Sequence, residues 1–200
     1  MIENSTPFLD FVFLDNMVSA WLMFFLIILL SLIVRKFISN RLISLILSVL
    51  KTSGKDNNFS KQLHKPINNI IFILFLYVAC NQLKYPGSWN VSADNVFGLK
   101  MVLNKGYLLF LYILVIQLFL KIEDVFGQIL KEKTEKTESK LDDQLIPFAI
   151  DSVKIITIIL GFFLIIGDVF NVNITALAAG LGVGGIAIAM ASKESLENLF

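Results

Sequence analysis

Apolar residues gather into five long runs, at 17–34, 67–83, 101–120, 150–169 and 174–191, separated by short polar or charged stretches. Each run approaches the ~20 residues that a helix rising ~1.5 Å per residue needs to cross a bilayer, so the pattern predicts five membrane-spanning helices. No Lys or Arg precedes the first run, which therefore lacks the basic start of a secretory signal and is stopped by Arg35-Lys36. From Phe37 to Leu50 a helical winding gathers Asn40, Arg41, Ser44 and Ser48 with Lys51 on one side. This predicts an extension of the first helix lying at the cytoplasmic surface, with a buried hairpin as the alternative. A loop is expected over 51–58.

Asn68, Asn69, Asn81 and Gln82 leave the second run a short apolar centre, and Tyr85-Pro-Gly-Ser-Trp-Asn90 reads as an interfacial turn. The third run holds one polar interior residue, Gln117, able to bond a neighbouring helix. Between Lys121 and Asp143 the chain is at its most charged. Lys131 with Glu135, and Glu132 with Lys136, have the four-residue spacing of helix-surface pairs, predicting an exposed helical or partly ordered connector. The fourth run opens with Asp151 and Lys154 and has Asp168 near its far end, read as a solvated interface residue.

The fifth run is a poor helix by propensity. Gly180, Gly182, Gly184 and Gly185 each forfeit roughly 1 kcal/mol relative to alanine, which close backbone approach must offset. Wound at about 100° per residue, Ala176, Gly180, Gly184, Ala187 and Ala191 form one stripe. Ala178, Gly182, Gly185 and Ala189 form a second on the opposite side. Leu177, Leu181 and Ile188 make one bulky face between them, and Val183, Ile186 and Met190 the other. A helix with two smooth flanks has two helical neighbours. If these are its own copies, the contact is head-to-tail and closes into a ring; otherwise they are two different helices of one subunit.

The segment Ala178-Ala-Gly-Leu-Gly-Val-Gly-Gly-Ile-Ala-Ile-Ala-Met-Ala-Ser-Lys-Glu-Ser-Leu-Glu-Asn-Leu199 resembles the pore helix and following bend of the small-conductance mechanosensitive ion channel family. Lys140-Leu-Asp-Asp-Gln-Leu-Ile-Pro147 and Asn171-Val-Asn-Ile-Thr-Ala-Leu177 resemble that family's lead-in to its last two spans. The resemblance covers about residues 140–200, with residues 1–130 similar only to the extra spans of larger members. It implies a homo-oligomeric ring, a heptamer in this family, around a pore narrowed by Ile186 and Met190. It implies Lys193, Glu194 and Glu197 at the cytoplasmic end and bend. Glu194 stands where the family often has a bend-forming glycine, so a bend here is made without glycine's freedom at positive φ. It also implies a soluble cytoplasmic region beyond Phe200, so that this chain reads as the N-terminal transmembrane portion.

Composition agrees with an all-α polytopic membrane protein. Of 200 residues 56% are hydrophobic, and a net charge of +1 points to no nucleic-acid partner. Basic residues fix the expected orientation. None precedes the first span, seven (Arg35, Lys36, Arg41, Lys51, Lys55, Lys61, Lys65) follow it, two (Lys84, Lys100) follow the second, and five (Lys121, Lys131, Lys133, Lys136, Lys140) follow the third. This puts the N-terminus outside and the C-terminus in the cytoplasm, with a bacterial inner membrane as the expected location.

Other chemistry is thin. The only cysteine, Cys80, excludes intrachain disulfides and reads as a buried, inert thiol, and the only histidine, His64, as a solvated side chain. No Ser/His/Asp or Cys/His set supports catalysis, and no cofactor is implied. Gly180-Leu-Gly-Val-Gly-Gly185 matches a dinucleotide fingerprint but lacks the preceding strand and following acidic residue. Asn90-Val-Ser92 and Asn173-Ile-Thr175 match glycosylation sequons of a length that arises by chance.

The expected division is therefore 1–130, extra spans with a cytoplasmic loop at 35–66; 131–149, a charged connector; and 150–200, a channel core with pore helix 174–191 and the start of an amphipathic helix at 192–200. The expected function is a tension-gated, weakly selective ion channel that relieves osmotic stress, with copies of itself, membrane lipids and small ions as partners. The alternative is a transporter or assembly subunit packed through small-residue helices, although no span carries the central charges that transporters use.

Overall fold

A computed structural model describes residues 11–50, 57–89, 98–134 and 140–197. It opens on a small hairpin, β1 (Val12–Phe13) against β2 (Asn16–Met17), whose two turn residues Leu14 and Asp15 have φ of 51° and 59°. Positive φ at both positions suits the strand twist but is uncommon without glycine, so something must hold the turn. Asn16, buried, donates from Nδ2 to the Leu14 and Lys84 carbonyls, each at 2.8 Å, and accepts the Lys84 N–H at 2.7 Å. Asp15 accepts the Gly87 N–H at 2.6 Å. The hairpin thus clasps the 81–89 turn, which includes a short 3-10 segment at Gly87–Trp89.

Among the described residues five α-helices follow: α1 (Val18–Val49), α2 (Asn57–Cys80), α3 (Leu99–Thr134), α4 (Lys140–Leu164) and α5 (Ile174–Glu197). Successive helices pack from α1 to α4 and run antiparallel. The clasp brings the start of α1 to the end of α2, while Ser39 of α1 meets His64 near the start of α2 at 3.1 Å. Gln62 donates to Gln128 at 3.1 Å, and Tyr77 stacks on Tyr107 with centroids 4.4 Å apart, which reverses α3 against α2. Lys154 with Asp124, and Tyr112 with Asp168, do the same for α4 against α3. α1, α2, α4 with its continuation, and α5 are long and apolar enough to cross a membrane. The apolar run expected at 101–120 lies inside the 36-residue α3, which returns the chain between α2 and α4.

Several expectations need correction. Residues 35–66, read as a cytoplasmic loop, are largely helical, because α1 continues to Val49 and α2 starts at Asn57; only 51–56 lie outside the described residues between them. The polar positions Asn40, Arg41, Ser44 and Ser48 are exposed as the winding predicts. The apolar side is covered by other helices instead of lying at a membrane surface. Ile43 and Leu47 join Phe59, Leu63, Ile67 and Ile71 of α2 with Val125 and Ile129 of α3 in one core. His64 is half-buried and bonded to the fully buried Ser39 Oγ, not solvated, because the antiparallel α1–α2 contact places the two opposite each other. Gln117 is exposed. Glu135 and Lys136, and so both expected pairs of the connector, lie outside the described residues.

Contact between α3 and α4 depends on small residues. Gly161 is buried, and a Cβ there would sit 2.4 Å from Ile116 Cδ1 and 2.6 Å from its Cγ1; at Gly127 it would meet Ile150 at 3.1 Å. Overpacking of this kind costs about 1–3 kcal/mol. Gly161→Val is accordingly expected to lower the thermal stability of the purified protein, and Ile116→Ala in the same chain to restore part of the loss, measured by loss of helical circular dichroism on heating.

Candidate functional site

α4 does not end as it runs. Ile165–Val169 forms a π-helical turn, the wider winding that often marks functional positions, with Val169 buried. The Tyr112 hydroxyl of α3 donates to Asp168 in this turn. The chain then reverses at Asn171, with φ of 56°, and the Val172 N–H reaches back to the Ile166 carbonyl at 3.2 Å. A Cβ on Gly167 would approach Ile174 Cγ2 to 3.3 Å, so the reversal is tight. Asn173 Oδ1 accepts the Thr175 N–H at 3.0 Å, which satisfies one of the orphan donors of the next helix and starts α5 at Ile174.

α5 makes no extended contact with any other described element, although it is as apolar as a span should be. Ile186 and Met190 are 64% and 72% exposed, and Val183 and Ile188 each 70%, where Val125 in the core is wholly buried. Gly180, Gly182, Gly184 and Gly185 meet nothing within 4 Å of where a Cβ would stand, and none has positive φ. Their roughly 4 kcal/mol of lost propensity is therefore offset by no close contact among the described residues, in contrast to Gly161. The small residues Ala176, Ala178, Ala187, Ala189 and Ala191 are exposed along the same two flanks. Gly180–Gly185 lie inside a helix with no strand before it, so the glycines form no phosphate-binding turn. α5 stays helical through Glu194, and Lys193 pairs with Glu197 at 3.6 Å one turn on, both exposed.

Behind α5, α4 is fastened to α3 by a charged bracket. Lys154 Nζ lies 2.7 Å from Asp124 and 3.7 Å from Asp151, Lys121 lies 2.9 Å from Asp124, and Thr157 donates to Glu123. Burial alone would raise the Asp124 carboxyl, but hydrogen bonds from Lys154 and Lys121, together with their charge, hold it below the usual carboxylate value.

Residues 152–193 match the family described as mechanosensitive ion channel, transmembrane helices 2/3. These residues carry the mechanosensitive-channel signature. The chain is 44% identical over 77 residues to the small-conductance mechanosensitive channel MscMJ of Methanocaldococcus jannaschii, an overlap of 38% of this chain and 22% of that one. It is 32% identical over 107 residues to the large-conductance mechanosensitive channel MscMJLR of the same organism, covering 50% and 28%. With the low conductance mechanosensitive channel YnaI of Escherichia coli it shares 33% identity over 88 residues, 44% and 23%. The chain thus spans under a third of the length of these relatives. No solved structure matches it. The matched mechanosensitive-channel segment contains α4 after its first turns, the π turn and most of α5, so it is the helix pair described above in an all-α, multi-pass membrane protein.

Both smooth flanks were legible from spacing. The Asp124 bracket and the Tyr112–Asp168 contact were not, since their partners lie 30 and 56 residues apart. A depressed carboxyl contributes stability that is complete above the ordinary carboxyl value and lost as pH falls through the lowered one. The melting temperature should therefore drop below about pH 4 in the native protein, and the drop should be smaller in Asp124→Asn, followed by thermal scans from pH 7 to pH 3.

Proposed function

We propose that this chain is a mechanosensitive ion channel subunit in which α5 lines a pore made by copies of itself. The observation that carries this reading is the set of four α5 glycines that face open space within the chain, on a helix matching a mechanosensitive-channel segment. In lipid, helices associate through close packing of small residues, so unfilled flanks on an apolar helix call for partners outside the subunit. Each α5 presents Ala176, Gly180, Gly184, Ala187 and Ala191 to one copy and Ala178, Gly182, Gly185 and Ala189 to the next, a head-to-tail contact that closes into a ring. The named relatives are all described as mechanosensitive channels, and a heptamer is the ring that the family resemblance implies.

With the glycine flanks between neighbours, Ile186 and Met190 point at the axis as stacked apolar rings that stop ions by dewetting. Stretch favours the state that covers more membrane, by the tension multiplied by the area difference. Smooth flanks let neighbouring α5 helices slide as packed helices do in shear motions. The clasped bundle α1–α4 faces lipid and senses tension, and the π turn hands its tilt to α5. At the cytoplasmic end Lys193 and Glu197 pair with each other, which cancels charge at the pore mouth and predicts weak ion selectivity. The N-terminus lies outside, and osmotic relief in a bacterial inner membrane is the physiological task. No catalytic step is involved.

Patch recordings test the gate and the ring separately. Ile186→Ser or Met190→Ser should hydrate the closed pore and lower the opening tension; an unchanged threshold in both would remove them as the gate. Gly184→Leu should jam one flank and prevent normal assembly, read as a loss of the oligomer on size-exclusion chromatography with light scattering. Normal assembly and opening of that variant would refute the ring packing. Absence of any conductance under suction in liposomes holding the assembled native protein would favour the non-channel alternative.

A further inference from the structure

At the hairpin end of the bundle, α1, α2, α3 and the 81–89 turn line a half-open cavity of about 650 Å³, to which α5 contributes no residue. That volume falls within the roughly 300–1,000 Å³ of small-molecule sites. Its floor is apolar, made by Ile73, Leu76, Leu103 and Phe110, and the stacked Tyr77 and Tyr107 form one wall. Its mouth is polar, with Lys84 in the lining and no carboxylate among the described lining residues. Asp15, in the hairpin beside it, is engaged by the Gly87 N–H. The Lys84 backbone is held on both sides by Asn16, which fixes where its exposed side chain starts.

The dimensions choose the ligand. From Lys100 to Phe110 the lining follows α3 for ten residues, ~15 Å of helix, which is half the ~30 Å hydrocarbon core and so the depth of one leaflet. Trp21, Tyr85 and Trp89 ring the mouth, the residue types that sit at headgroup level. A mostly apolar lining that follows α3 over that length, with Lys84 at the rim, matches one kind of molecule abundant at the interface. We propose that this cavity binds an acyl chain of an anionic phospholipid, with the lipid phosphate at Lys84. The site is separate from α5 and holds whether or not α5 conducts.

Both tryptophans of the chain line the cavity, so intrinsic fluorescence reports its occupancy. The purified full chain in a neutral maltoside micelle is titrated with phosphatidylglycerol or phosphatidylcholine brominated in the acyl chain. Brominated phosphatidylglycerol is expected to quench saturably, at about fivefold lower concentration than the zwitterionic lipid. Lys84→Gln, which leaves the clasp to the backbone untouched, should erase that difference. Leu76→Phe with Leu103→Phe, filling the cavity, should weaken quenching by both lipids. Excess inorganic phosphate should leave quenching in place. Equal quenching by the two lipids, insensitivity to Lys84→Gln, or displacement by phosphate would each overturn the assignment. Should the filled variant not fold, the Lys84→Gln comparison decides alone.

Discussion

Apolar surface gains nothing by leaving lipid for a neighbouring helix, and that constraint organises the molecule. Most of the packed core lies where the helices run past their most apolar stretches, with Ile43 and Leu47 beyond Arg35-Lys36, Phe59 and Leu63 before Lys65-Pro66, and Val125 and Ile129 beyond Lys121; Ile67 and Ile71 carry it into the start of the second run. There water is available to drive burial. Along the apolar runs the side chains are mostly exposed, as lipid-facing residues should be. Within those runs, contact rests on other means: the glycine approach at Gly161, the stacked pair Tyr77–Tyr107 and the polar contacts Tyr112–Asp168 and Thr157–Glu123.

Each end of the bundle is fastened differently, with consequences for motion. The hairpin end is closed by one buried side chain, Asn16, that uses both its donor and its acceptor on the main chain 68 residues away. The opposite end carries the hydrophobic core and, alongside it, the Asp124 bracket to α4. α4 is thus held along its length by α3, while the helix after the Asn171 reversal makes no extended contact with another described element. Tyr112, reaching the π turn from α3, stands at the junction.

Much of this was readable before any coordinates. The fourth and fifth runs fall within α4 with its π turn and within α5, and glycine spacing alone marked two flanks that tertiary contacts then left vacant. Readings failed where helices overran their apolar cores. An amphipathic segment such as 37–50 has the same periodicity whether its apolar side meets a membrane surface or another helix, and only the position of α2 and α3 separates the two. His64 looked solvated because its neighbours in sequence are basic, yet its partner, Ser39, is 25 residues away.

Hydropathy and the period of small residues determined the number and sites of the apolar runs, the helical class and the faces α5 presents, because each depends only on residues within a few turns of one another. Tertiary structure alone decided the hairpin clasp on Lys84, the Asp124 bracket, the π turn under Tyr112 and the cavity at the hairpin end. Those features need partners tens of residues apart brought to within about 3 Å, and no local pattern records which pair will meet.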